Sequence, residues 1–225
     1  MLGIIGGTSL RFSDLPDLEK QTVMTPYGPA EVLHGNVIVL MRHQDGLPPH
    51  RINFRANVAA LAIEGVDKVV AIGSVGSLKQ DITPGSLLIP TDYISMGEIP
   101  SVHDHAIVHV RPEMTPSLTH ALSSIIPEAR LGGTYAQTRG PRIETIAEVK
   151  ALSMFADVVG MTIASEATLA RELGMPFTAL CTVDNYANGL GSEVLTYDHI
   201  LTMAQTYRSR TESIVKRIIK VLGKR

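Results

Sequence analysis

The 225-residue sequence contains no tryptophan, a single cysteine and only 4% aromatic residues. Cys181 cannot close an internal disulfide, and its apolar neighbours suit a small buried residue in a reducing compartment better than a nucleophile. An excess of one charge is also missing. Formal net charge is -2, and no long basic run supplies the footprint of a nucleic-acid partner. No stretch approaches the ~20 apolar residues that span a bilayer, so no membrane partner is expected. Leu2-Gly3-Ile4-Ile5-Gly6-Gly7 follows Met1 without a charged leader, so no secretory signal is expected and the expected location is cytoplasmic. Internal repeats and low-complexity tracts are absent.

What is present is a chain that is 44% hydrophobic, with 19 Gly and 13 Pro, enough to bury one large core, and residues 1–225 read as a single domain. Short apolar runs at 2–5, 68–72, 86–89, 157–162 and 177–183 read as buried strands. Residues 22–24, 30–34 and 37–41 read as strands joined by turns. Helical patterns occupy 53–64, 117–126, 145–155, 164–173 and 197–222. This alternation predicts an α/β fold, a central mixed and largely parallel sheet flanked by helices, in which ligands gather at the carboxyl ends of strands.

Candidate ligand groups follow several of those strands. Gly6-Gly7-Thr8-Ser9 can bring backbone N–H groups and hydroxyls to an anion, or form a plain tight turn, and it does not fit the G-x-G-x-x-G dinucleotide pattern. Arg42-His43 offers a guanidinium fork and an imidazole, a donor set suited to phosphate, or an exposed charged strand end. The turn expected at Gly73-Ser74-Val75-Gly76 does not match a nucleophile elbow. Gly140-Pro141 interrupts the stretch from Gly132 to Val149 and presents Arg142, Ile143 and Glu144. A carboxylate there can bond the edge of a flat heterocycle while the aliphatic neighbour covers its face, or it can simply serve the next helix N-terminus. Met161-Thr162 ends one further strand, and a turn expected to begin at Asp184-Asn185 follows another. The long irregular segment 91–116 carries His103, His105 and His109, but these lack the carboxylate arrangement of a recognised site, and no metal is expected.

Taken together, Gly6-Gly7-Thr8, Thr25-Pro26-Tyr27-Gly28, Arg42-His43, the run from Pro49 to Asn57, Gly76-Ser77-Leu78, Gly140-Pro141-Arg142, Gly160-Met161-Thr162 and Asp184-Asn185 resemble the trimeric purine nucleoside phosphorylase and methylthioadenosine phosphorylase family over nearly the whole chain. The resemblance implies that inorganic phosphate, a co-substrate, attacks the anomeric carbon of a ribonucleoside and releases the purine, with no further cofactor. It places phosphate on Thr8, Arg42, His43, Ser74 (through its backbone) and Thr162. It places the purine and ribose against Val75, Gly76, Ile143, Glu144, Met161 and Asn185, with Tyr197, His199 and Leu201 near the sugar's 5′ substituent. Ser9 departs from the family's usual Gly. The roles implied as catalytic fall on Asn185, His43 and Glu144, with Asn185 stabilising charge on the departing base at N7. Asn185 with Glu144, where 6-aminopurine members carry an Asp-x-Asp pair, implies 6-oxopurine substrates: 5′-methylthioinosine, inosine or guanosine. The alternatives are a methylthioadenosine phosphorylase, a nucleoside hydrolase or a non-catalytic purine sensor. A homotrimer or dimer of trimers is implied, with His105 or His109 reaching a neighbour's ribose.

Overall fold

The computed structural model describes residues 1–7, 10, 18–192 and 196–223, without the side chains of 197, 199, 200 and 204. Thr8 and Ser9, and the side chains of Tyr197 and His199, therefore lie outside the described residues.

Eleven strands form one mixed sheet. In chain order they are β1 (Leu2–Gly6), β2 (Glu19–Thr25), β3 (Gly28–His34), β4 (Ile38–Met41), β5 (Lys68–Ser77), β6 (Leu87–Ile89), β7 (Asp92–Ser95), β8 (Arg130–Leu131), β9 (Thr134–Gln137), β10 (Val158–Gly160) and β11 (Phe177–Tyr186). The helices are α1 (Phe54–Ile63), α2 (Pro116–Ile125), α3 (Ile146–Leu152), α4 (Ile163–Glu172), α5 (Tyr197–Thr206) and α6 (Arg208–Leu222). Alternate residues of the central strands face opposite layers, as the two-residue strand period requires. Ile5, Val69 and Ala71 pack toward α1 and α4, while Ile4, Val70 and Ile72 pack toward α2 and α6.

The feature that positions the site is β5. One edge pairs with β11 from Val69 to Ser77. The other edge is shared: β1 runs parallel to it up to Ile72, and β10 pairs antiparallel only at Gly76 and Ser77. Among the described residues no strand pairs with this edge at 73, 74 or 75. The sheet thus opens over three residues, with Ile72 and Gly76 roughly 13 Å apart along the extended chain.

Several boundaries differ from the sequence expectation. The expected turn at 73–76 is extended strand, because β11 continues alongside and supplies its hydrogen bonds. The Asp184-Asn185 turn is likewise strand, with a bulge between Val183 and Asn185 that makes Asp184 the extra residue and sets Asn185 opposite Gly76. The single closing helix is two, broken at Tyr207. The segment 91–116 contains β7.

Candidate active site

One end of the opening is organised by Arg42, only 2% exposed. Its backbone N–H donates to Gly6 O at 2.8 Å, and Asn57 Nδ2 donates to its carbonyl at 3.2 Å, fixing the chain just past β4. The guanidinium donates from Nη1 to Ile72 O at 2.9 Å, and from Nε and Nη2 to the two carboxylate oxygens of Glu166 at 2.6 and 3.0 Å. Three of its five N–H donors are therefore committed to described residues, and one remains on each terminal nitrogen. Gly7 permits this placement, since a Cβ there would sit 2.3 Å from Nη1. Glu166 lies in the first turn of α4 and is buried. Burial pushes its carboxyl above the usual range, against the downward pull of Arg42.

Ser74 stands in the middle of the opening. Strand backbone groups alternate between edges, and the bond to Arg42 shows that Ile72 O points toward the β1 edge. The N–H of Ser74, two residues on, faces the same side. Thr162 approaches as the N-cap of α4, 8% exposed, with a hydroxyl that makes no cap bond. Side chains from β9 do the capping instead. Tyr135 Oη accepts the N–H groups of Thr162 and Ile163 at 3.1 and 3.3 Å, and Gln137 Oε1 accepts from Ser165 N at 3.0 Å. Burial raises the pKa of the Tyr135 hydroxyl and keeps it protonated. His43 holds Nδ1 2.9 Å from Leu47 O, so Nδ1 carries a proton. Its Nε2 meets an anion as a donor only when the ring is doubly protonated.

At the other end, Gly140 takes a left-handed φ of 63° and lies against Met161, whose sulfur would be 2.4 Å from a Cβ at 140. Thr138 N donates to Gly160 O at 2.9 Å, which docks the same loop on β10. Glu144 is 6% exposed, and its Oε1 accepts from Thr138 Oγ1 at 2.5 Å. Asn185 is 9% exposed and donates from Nδ2 to Tyr186 O at 2.8 Å. Gly76 leaves it space, since a Cβ there would lie 3.2 Å from Asn185 Nδ2. Asn188 Nδ2 donates to Glu144 O at 3.0 Å, and Gly189 packs on Ile146, so the segments carrying Glu144 and Asn185 are tied together. Ile143, just before Glu144, is half-buried and Leu201 is half-buried on α5 beside β11, whereas Val75 is 3% exposed and packs into the larger core cluster.

The structure therefore brings Arg42, Ser74 and Thr162 to one end of the opening, with His43 following Arg42, and gathers Gly76, Glu144, Met161 and Asn185 toward the other. His105 and His109 are exposed. His109 lines a cleft of about 210 Å³ with Thr168, Arg171 and Glu172, later turns of α4 than Thr162. Among the described residues no group of three His, Cys, Asp or Glu side chains could hold a metal, and no helix is long and apolar enough to cross a membrane.

Sequence reading missed Glu166, Tyr135, Gln137, Thr138 and Asn188. A carboxylate among alanines at 164–167 was a usable signal for Glu166, and the two-residue spacing of Tyr135 and Gln137 placed both on one strand face.

The profile of the phosphorylase superfamily matches residues 1–220. A probable 6-oxopurine nucleoside phosphorylase of Archaeoglobus fulgidus is 40% identical, covering 98% of this chain and 96% of that protein. A probable S-methyl-5′-thioinosine phosphorylase of Methanocaldococcus jannaschii is 37% identical over 97% of this chain and 92% of that one. The 6-oxopurine nucleoside phosphorylase of Pyrococcus furiosus is 35% identical, covering 98% and 91%. Among solved structures, methylthioadenosine phosphorylase from Schistosoma mansoni in complex with adenine superposes with a TM-score of 0.87. The match covers 99% of this chain and 91% of that one, and at 22% identity the likeness is one of fold.

Proposed function

The chain belongs to the phosphorylase superfamily, and from that premise we propose that it catalyses phosphorolysis of 6-oxopurine ribonucleosides, the activity its relatives are named for. A phosphate oxygen bonds to C1′ of the ribose as the C1′–N9 bond breaks. The bonding pair leaves with the purine, which takes up a proton, and the products are the free base and ribose 1-phosphate. Phosphate is held by Arg42, His43, Thr162 and the backbone at Ser74, with Thr8 as the family resemblance implies.

The observation that carries this reading is the opening along β5. Ile72 accepts the anion-binding guanidinium at one end and Gly76 adjoins Asn185 at the other, so a single strand measures out phosphate, sugar and base. Phosphate and sugar held in contact require no enzyme nucleophile, and positioning supplies much of the rate. Met161 and Ile143 lie against the ribose and base.

The base is chosen by hydrogen bonding. Because the Thr138 hydroxyl donates to Glu144, the carboxylate is the acceptor in that pair and has its other oxygen for the N1–H of hypoxanthine or guanine. Adenine would turn a bare acceptor toward it, leaving polar groups unmatched at ~1–3 kcal/mol each. Asn185 has one further amide N–H, which can donate to purine N7 or to the C6 carbonyl oxygen of a 6-oxopurine, and its amide oxygen can accept only from N7 once the departing base is protonated there. Ala187, where 6-aminopurine enzymes carry the second Asp of their pair, is 2% exposed in an apolar cluster with Leu78, Ala136 and Val159, a poor setting for a carboxylate.

The sugar is either 5′-hydroxyl or 5′-methylthio, with Leu201 the described apolar contact. The decisive assay supplies phosphate with inosine, guanosine, adenosine and their 5′-methylthio forms. Phosphate-dependent release of hypoxanthine or guanine is expected. Release without phosphate would make the protein a hydrolase, and binding without release would make it a sensor.

The assembly follows the family pattern of a trimer or dimer of trimers, in which exposed His105 or His109 reaches a neighbour's ribose. Mixed oligomers test this. A subunit lacking these histidines should impair a site on a partner that retains them, and impairment confined to the altered subunit's own site would exclude the arrangement.

A further inference from the structure

We propose that Glu166 is a positioning residue for phosphate: its carboxylate grips the rear of the Arg42 guanidinium and turns the two remaining N–H groups into the opening beside Ser74. The inference rests on the phosphate site argued above and concerns a residue outside it.

The geometry makes the case. Both Glu166 oxygens are engaged, at 2.6 and 3.0 Å, by Nε and Nη2 of Arg42, which fixes the plane of the guanidinium as well as its location. Ile72 O takes one hydrogen of Nη1, and Gly7 packs close against that nitrogen. With one edge held by the carboxylate and one terminal nitrogen held by a strand carbonyl, the guanidinium has no other rotamer that keeps all three bonds. The uncommitted hydrogens then have a defined direction before any anion arrives.

Stability alone does not account for such a pair. Removing two charges from water costs more than their attraction commonly returns, and apolar pairs of similar volume are often equal or better. Glu166 and Arg42 side chains are each 2% exposed, yet Glu166 is flanked on α4 by the buried Ala167 and Ala170, which would accept an apolar neighbour. The pair also sets local charge. A lone buried guanidinium would attract any small anion, whereas the neutralised pair relies on several donors converging, as phosphate provides.

The test is steady-state kinetics of Glu166→Gln, Glu166→Asp and Arg42→Ala with phosphate and nucleoside varied independently. In Glu166→Gln the new amide NH2 confronts the Arg42 donors. We expect the phosphate KM to rise about tenfold or more while the nucleoside KM stays within about twofold, a split that separates positioning from general damage. Glu166→Asp keeps the charge and withdraws it by one methylene, so its phosphate KM should rise by an intermediate factor. It carries the test should the Gln variant not fold. An unchanged phosphate KM in the folded Glu166 variants, with a large rise in Arg42→Ala, would overturn the role of Glu166 and leave the phosphate site standing. No rise in Arg42→Ala would instead remove the phosphate site itself. Equal rises in both KM values would reduce Glu166 to a structural residue.

Discussion

The two ends of the β5 opening, proposed to take the anion and the base, are built by different means. Arg42 at the anion end is fixed by Glu166, 124 residues away in sequence, and by the carbonyl of Ile72 on another strand. Glu144 at the base end is oriented by Thr138, six residues away, within one loop. The first arrangement uses a buried ion pair that tolerates no missing partner. The second uses single hydrogen bonds to a loop whose shape is set by Gly140 and by a capping box in which Thr145 and Glu148 serve each other's backbone. On the proposed assignment, substrate charge falls on rigid tertiary scaffold, and base identity on local, replaceable contacts.

Breaking the rigid end should have the largest effect. Arg42→Ala leaves the Glu166 carboxylate buried and unpaired, and is expected to lower stability by about 3–5 kcal/mol and raise the phosphate KM about 100-fold or more. Thermal unfolding should show part of the stability returning in Arg42→Ala with Glu166→Gln, while phosphate affinity does not return. If the single and double variants melt together, the ion pair is not the coupled unit described. Asn185→Asp addresses the base end. Catalytic efficiency on inosine-type substrates should fall about 10–100-fold, from ~1–3 kcal/mol of mismatched hydrogen bonding, and the ratio of adenosine-type to inosine-type activity should rise. An unchanged ratio would mean that the base is read elsewhere. Adding Ala187→Asp, to recreate the Asp-x-Asp pair, is unsuitable, because residue 187 lies in an apolar cluster with Ala136 of β9 and Val159 of β10.

Smaller effects sharpen the contrast. Thr138→Val removes one hydrogen bond, worth about 1 kcal/mol, and should reduce kcat/KM for 6-oxopurine nucleosides several-fold without moving the phosphate KM. Loss of phosphate affinity in that variant would show that the two ends are not separable. The smallest effect concerns the loop's outer support. Arg142, with help from the Thr145 backbone, holds the Glu148 carboxyl at about 2, against an ordinary 4.5. A depressed carboxyl contributes stability that is fully present above about 4.5 and is lost as pH falls toward about 2. Melting temperatures of the native protein should decline across that window more steeply than those of Arg142→Ala. Parallel curves would remove the pair from the loop's support. The pair is exposed, so the difference should be small.

The same contrast governs how much the sequence discloses. Strands β1 to β4, the helix α1 with its Asn53 cap, and the Gly140-Pro141 break were all legible, because local periodicity and turn chemistry determine them. The Gly140-Pro141-Arg142 and Asp184-Asn185 motifs marked out Glu144 and Asn185, whose segments the Asn188 bond to Glu144 O ties together. Residues 73–76 and 184–186 read as turns because glycine, serine and asparagine favour turns, and only the long β5–β11 pairing overrides that preference. Glu166 escaped notice since its meaning lies wholly in a distant arginine. Tyr135 and Gln137 escaped because capping of α4 from a neighbouring strand leaves no mark near Thr162 itself.

The most direct measurement is a structure of the complex with phosphate and hypoxanthine bound together. The account predicts phosphate on the free edge of the Arg42 guanidinium, beside Ser74 and Thr162, with the purine between Glu144 and Asn185 at the other end of the same opening. Phosphate seated away from Arg42, or a base bound without contact to either Glu144 or Asn185, would contradict it.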